Sequence, residues 1–171
     1  MKNKDSLTKI LLLTFLFLAP INLSAEIGTK KWSKLCAEAK KTCLIAIKVD
    51  VTIKSESESK KQTLGTAFIR LGSTAEKKKF PILSVNLPLN SELNKKPLVQ
   101  IDKKSIANLS YKFCNNNIGC NTSVGINDKT IKTFKAGKTL NVIFGVYGAK
   151  KNMTISFPLK GFTKAYNDLT E

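Results

Sequence analysis

Four cysteines carry the clearest chemistry in this chain: Cys36, Cys43, Cys114 and Cys120. A thiol can form a disulfide, ligate zinc or act as a nucleophile. The spacings are C-x6-C and C-x5-C, two local pairs far apart in sequence. Structural zinc sites favour gaps of about two to four residues, which neither pair has. There is no C-x-x-C, so a thioredoxin-like redox role has little support. The chain also has no His. That removes Cys–His and Ser–His pairs, the commonest general base and the commonest metal ligand.

Other reactive groups are scattered. Ser33-Lys34, Ser59-Lys60 and Lys104-Ser105 are neighbours in Lys-rich stretches, and no S-x-x-K opens an expected helix. Acid–base work needs two carboxylates converging on a cleft. Asp50 and Asp102 are the only acids in or beside expected strands. Asp50 is expected on the solvent-facing side of its strand as surface charge. Asp102 is expected to cap a turn or pair with Lys. With no Gly-rich phosphate loop and no EF-hand pattern, no cofactor or metal is expected.

Lysine is the dominant charged residue. Lys77-Lys78-Lys79, Lys95-Lys96, Lys103-Lys104 and Lys150-Lys151 fall near expected loops. Lys77, Lys78, Lys79, Lys95, Lys96, Lys103 and Lys104 form the candidate patch for an anionic ligand, if those loops share an end. Arg70 is the only Arg. Lys is a hydrated point charge, whereas Arg grips phosphate with a two-donor fork. Only Phe80 and Tyr111 lie near the charge, so sequence-specific nucleic-acid binding is not expected. The lone Trp32 is expected as a core plug against the first disulfide rather than a binding platform.

The N-terminus indicates where these groups must work. Lys2 and Lys4 precede an apolar run from Ile10 to Leu18; Pro20 breaks it, and Leu23-Ser24-Ala25 offers small residues for cleavage. That is the layout of a secretory signal peptide over 1–25. The run is shorter than the roughly 20 residues needed to span a bilayer. The mature chain is expected from about Glu26, periplasmic, outer-membrane associated or secreted, with no transmembrane anchor after processing. An exported chain with an even number of Cys pairs them. Three pairings are possible; the expected one is local, Cys36 with Cys43 and Cys114 with Cys120. Each bond would be worth about 2–2.5 kcal/mol through loop closure. The whole chain has 29 basic and 12 acidic residues, net +17. Removing three Lys and one Asp with the signal peptide leaves +15. Such a balance points to anionic partners or simply to a solvated surface.

Residues 26–171 are one domain's worth of chain. From Cys43 to Ile53 every second residue is apolar, the period of a strand with one buried face. Ser55–Gln62 reads as a hairpin loop, and Leu64–Leu71 as the return strand with a possible bulge at Gly65. Further strands are expected at Phe80–Leu87, Leu98–Ile101, Ile106–Phe113, Ile118–Val124, Leu140–Tyr147 and Met153–Phe157. Pro81 argues for an edge or a strand start. Gly72–Lys79 and Pro88–Lys96 read as polar connections. Asp128 would cap a short helix ending at Gly137, with Ile131 and Phe134 inward. Phe162, Ala165, Tyr166 and Leu169 recur at helical spacing. Together these give an all-β class: a β-sandwich of about eight short antiparallel strands, two short helices and two local disulfides.

Trp32, Cys36 and Cys43 open a series of landmarks. Leu87-Pro88, Ile101-Asp102, Cys114 and Gly119-Cys120 follow, then Lys135-Ala136-Gly137-Lys138 and Leu159-Lys160-Gly161-Phe162-Thr163-Lys164-Ala165. In that order they resemble the invasion-associated locus B family of exported alphaproteobacterial proteins, over nearly all of residues 26–171. Two stretches depart from it: Asn90, Asn94, Lys95 and Lys96 stand where glycines are frequent, and Asn121 and Thr122 where small apolar residues are usual. The resemblance implies a β-sandwich in the periplasm or at the outer membrane, and supplies no catalytic residues. The family's name comes from a link to host-cell entry in a pathogen. The expected function is a non-enzymatic exported binding domain whose partner is an envelope protein or an anionic surface polymer. The alternatives are a virulence or host-cell invasion accessory factor at the cell surface, and an enzyme with an unrecognised site. The sequence leaves the oligomeric state open.

Overall fold

A long twisted sheet must bury one face, and in this chain a second, narrower sheet covers it. The structure, a computed structural model, describes residues 24–29, 31–37, 42–54, 59–76 and 78–171, and their side chains outside 24–29 and 51–61. The expected signal peptide, apart from Ser24 and Ala25, lies outside the described residues, as does Lys77. Eleven strands and two helices are formed: β1 (Ser24–Thr29), β2 (Ser33–Ala37), β3 (Thr42–Lys54), β4 (Ser59–Ser73), β5 (Lys79–Leu87), β6 (Leu98–Ile101), β7 (Lys104–Asn108), β8 (Ser110–Asn115), β9 (Gly119–Gly125), α1 (Asp128–Ala136), β10 (Thr139–Phe144), β11 (Met153–Pro158) and α2 (Phe162–Thr170). One antiparallel sheet has the order β1-β3-β4-β5-β9-β8, with β2 lying beyond β1 along the same edge of β3. The other has the order β11-β10-β6-β7. The all-β sandwich with two short helices and local disulfides is therefore observed.

The period-two pattern of β3 does what it predicts. Ile45, Ile47 and Val49 are buried, and so are Ala67 and Ile69 opposite on β4 and Leu83 and Val85 on β5. They face Val99, Ile101, Leu140, Val142, Ile155 and Phe157 from the second sheet. Gly65 lets the two sheets close up: a Cβ there would meet Ile155 Cδ1 and the Asn86 carbonyl oxygen, both at 3.1 Å.

Several expectations change. β3 and β4 are 13 and 15 residues long, not short, and β4 starts at Ser59, inside the stretch read as a loop. The bulge falls at Leu64, beside Gly65, where pairing passes from Val49↔Gly65 to Asp50↔Thr63. There Asp50 is 4% exposed instead of solvent-facing. It accepts from Thr63 Oγ1 at 3.0 Å and pairs with Lys48 Nζ at 3.3 Å. The bulge places the carboxylate between two side chains that satisfy it, which alternation alone does not reveal. The stretch read as one strand at Ile106–Phe113 is two. The chain leaves the smaller sheet after Asn108, passes the fully buried Leu109, and joins the larger sheet at Ser110. Leu109 N–H donates to the Pro97 carbonyl at 2.8 Å, so the crossing is hydrogen-bonded. Pro81 lies near the start of β5, an interior strand between β4 and β9, so the strand-start reading holds and the edge reading does not. α1 is capped by Asn127, whose side chain accepts from Thr130 N–H, and Asp128 sits in its first turn instead.

The smaller sheet leaves part of the larger one uncovered, and α2 fills that space. Phe162, Ala165, Tyr166 and Leu169 face inward, as their spacing predicts. Trp32, 5% exposed, sits between β1 and β2 and packs edge-on to Phe162, with ring centroids 5.2 Å apart. Its Nε1–H donates to the Pro158 carbonyl at 2.9 Å. Phe162 also packs against Phe134 of α1 at 5.2 Å, so one aromatic chain joins the sheet edge to both helices. The core-plug reading of Trp32 fits this placement, with α2 as its ring partner. Trp32→Ala should destabilise the fold by about 3–5 kcal/mol, read as a lower urea midpoint with an unchanged slope.

Candidate functional site

Both local disulfides are present. Cys36–Cys43 joins residues directly opposite on β2 and β3, and Cys114–Cys120 does the same on β8 and β9. Each therefore ties a sheet-edge strand to its neighbour, and no free thiol remains. Gly119 makes the second hairpin possible. Its φ is +80°, and a Cβ there would lie 2.1 Å from the Leu87 carbonyl oxygen. The cysteines are thus structural staples at this oxidation state, and among the described residues no group of acids, His or Cys could hold a metal ion.

The sandwich separates the candidate lysines. Lys78 and Lys79 stand at the β4–β5 hairpin, and Lys103 and Lys104 at the β6–β7 turn beside α1. Each turn lies at the end of its own sheet away from the β5–β6 loop, which leaves β5 at Leu87 and enters β6 at Leu98. Lys95 and Lys96 lie in the loop after β5, at the opposite end. All six are exposed. Lys95 pairs with Glu92 at 2.9 Å. A different lysine group was not anticipated. Lys31, Lys34, Lys160 and Lys164 line a hollow of about 400 Å³ beside Trp32 and α2. Two of them are engaged there: Lys34 Nζ donates to the Asp168 carbonyl, and Lys164 binds the Asp168 carboxylate at 2.9 Å. That hydrogen bond pushes the Lys164 pKa up. The grouping depends on α2 folding back onto the Trp32 edge, so spacing along the chain does not announce it.

The β5–β6 loop carries a second unanticipated feature. It docks on the chain after β10: Glu92 N–H donates to the Gly145 carbonyl and Tyr147 N–H to the Asn90 carbonyl, both at 2.8 Å. Ser91, which bridges to Val146, is buried and donates to the Pro88 carbonyl at 2.6 Å. The buried Tyr111 hydroxyl lies under this loop without a hydrogen bond of regular geometry, and burial pushes its pKa up. A rigidly held loop thus points Leu89 and Leu93 into solvent, 49% and 58% exposed, beside Tyr147 at 85%. The three flank a hollow of about 510 Å³. On the loop's other side a groove runs from Leu89 to Ile118 at the disulfide-closed hairpin tip. The signal was two leucines inside a polar connection, which composition averages away.

Asp102 is the carboxylate that geometry places most firmly. It is the one non-glycine among the described residues with positive φ, at 54°. Its carboxylate accepts from the N–H groups of Lys138 and Thr139, at 3.2 and 3.0 Å. Its own N–H donates to the Thr139 carbonyl at 2.8 Å, and its carbonyl accepts from Asn141 Nδ2 at 2.8 Å. It therefore clamps the β6–β7 turn to the α1–β10 junction, and every described contact is to the protein's own backbone or amide. Asp102→Ala should cost about 2 kcal/mol, from lost charge-assisted bonds and a Cβ-bearing residue held at positive φ without them. Asp102→Asn, which tolerates that φ and keeps an acceptor, should cost about half as much; thermal unfolding of the two variants checks the order.

A family model described as "Invasion associated locus B (IalB) protein" matches residues 32–170. No curated protein matches. The crystal structure of invasion associated protein B from Bartonella henselae superposes with a TM-score of 0.62, covering 86% of this chain and 96% of that one at 18% identity. At that identity the likeness speaks for the fold. No helix among the described residues is long and apolar enough to cross a membrane. The match from Trp32 to Thr170 takes in the Trp32 clamp, both staples and the Asp102 turn, and the chain belongs to the invasion associated locus B family.

Proposed function

We propose that this protein is a non-enzymatic, exported binding domain whose partner is an anionic surface of the bacterial envelope. The observation that carries the reading is the placement of charge. Lysines project from turns at both ends of a stapled sandwich, and Lys78, Lys79, Lys103 and Lys104 have no ion-pair partner among the described residues. Unpaired cations on fixed turns raise the local concentration of anions and speed encounter. The contacts of Asp50 and Asp102 support structural roles for the two acids that catalysis would need first. The signal-peptide layout of residues 1–25 supports a periplasmic or outer-membrane-associated setting.

An envelope protein is the alternative partner, and the exposed leucines of the β5–β6 loop favour it. A role as a host-cell invasion accessory factor rests on the name of the family and of the Bartonella henselae protein.

The test uses the oxidised chain from Glu26 against lipopolysaccharide, a sulfated glycan and DNA. Saturable binding to an anionic envelope polymer that persists at physiological salt is expected. Loss of all binding as the Debye length falls from about 30 Å to about 8 Å would reduce the charge to surface character.

A further inference from the structure

Exposed large hydrophobics are not spread evenly over this molecule. Among the described residues all but Leu35 gather at one end of the sandwich: Leu89, Leu93, Phe113, Ile118, Tyr147 and Met153. They come from three separate stretches of chain. Leu89 and Leu93 belong to the β5–β6 loop, Phe113 and Ile118 to the β8–β9 hairpin, Tyr147 to the β10–β11 connection and Met153 to the start of β11. The fold brings these stretches together. Asn90 bonds Tyr147, and Leu89 and Ile118 share one groove. Met153 pairs with Phe144 at the same end of the smaller sheet.

The end is also positively charged. Among the described residues its loops hold Lys95, Lys96, Lys150 and Lys151 against a single acid, Glu92. Glu92 is held inward, against Gly145, and is already paired with Lys95. All four lysines are exposed. Side chains that stand 42–85% exposed at the tips of separate loops do not form a deep pocket for one ligand. They form a discontinuous apolar rim with cations interleaved. That arrangement suits a surface that is apolar below and anionic above. Leucines and aromatic rings enter the boundary between headgroups and acyl chains, while lysines stay at the phosphates with their stems extended.

We infer that this end of the protein docks on the face of an anionic phospholipid bilayer, with Leu89, Leu93, Ile118 and Tyr147 inserted and Lys95, Lys96, Lys150 and Lys151 on the headgroups. The inference rests on the proposed reading of the protein as a binder of anionic envelope surfaces, and names the surface and the end that meets it. The loops need little reordering to bind. The β5–β6 loop is tied to the β10–β11 connection by backbone hydrogen bonds, and the hairpin tip is closed by Cys114–Cys120. Preformed tips lose less entropy on docking than mobile ones.

The test is vesicle flotation of the oxidised chain from Glu26. One set of vesicles is phosphatidylcholine alone, and the other contains about one third phosphatidylglycerol. Binding is expected only to the second, and is expected to persist at physiological salt. The double variant Leu93→Ser/Tyr147→Ser should lower the bound fraction at least about fivefold. Lys129→Gln/Lys132→Gln, exposed on α1 and away from this end, should change it less than about twofold. The changed side chains are exposed, and equal melting temperatures verify that both variants fold. Parent-like binding by the apolar double variant overturns the inference. So does a protein that binds lipopolysaccharide or the sulfated glycan but no vesicle; the anionic-surface reading then stands without this end. Failure to bind any anionic probe removes both.

Discussion

The rest of this structure depends on a mismatch in width. A seven-stranded sheet presents more apolar surface than a four-stranded one can cover. The two helices close the difference, and the aromatic chain Trp32–Phe162–Phe134 fastens them to the sheet edge. Leaving that surface wet would forfeit about 25 cal/mol for every Å² of apolar area. The edge itself is unusual in being shared: β1 and β2 lie end to end along β3, and Trp32 turns inward at the break between them. Its indole N–H donates to the Pro158 carbonyl there, so one hydrogen bond also ties the two sheets.

Both edges of the larger sheet are also held by covalent bonds. Open sheet edges invite pairing with other chains. Here β2 and β8 are each cross-linked to a neighbour by a disulfide between opposite residues. The same bond that staples β8 also fixes the hairpin tip carrying Ile118. Stability and presentation of the loops thus come from the same covalent device. The Asp102 clamp plays the corresponding part at the other end, where it fixes the turn bearing Lys103 and Lys104.

Much of this was legible because it is local. Alternation along Cys43–Ile53, short Cys spacings, Gly137 after an amphipathic turn and Phe162–Leu169 at helical spacing each report on a neighbourhood of a few residues. Asp102 was legible as a turn-capping acid for the same reason. What escaped is non-local. The crossing at Leu109 interrupts a run that reads as continuous strand, because both halves keep strand patterning while changing sheets. Asp50 is buried because of a bulge on the partner strand, not because of its own neighbours. The gathering of Leu89, Ile118 and Tyr147, and that of Lys31, Lys34, Lys160 and Lys164, arise from distant segments that only the topology unites. The lysine doublets were visible as charge, but their separation onto two ends follows from the direction of each strand.

The protein is thus a stapled family scaffold whose two ends differ: one carries lysines on clamped turns, the other lysines among protruding apolar tips. The most direct measurement is amide hydrogen exchange of the oxidised protein with and without phosphatidylglycerol-containing vesicles. Slowed exchange confined to residues 88–97, 115–119 and 145–153 is the predicted result, with the Trp32 seam unchanged in both states. Slowed exchange at the β6–β7 turn or around the Lys31–Lys164 hollow instead, with the apolar end unprotected, would contradict it.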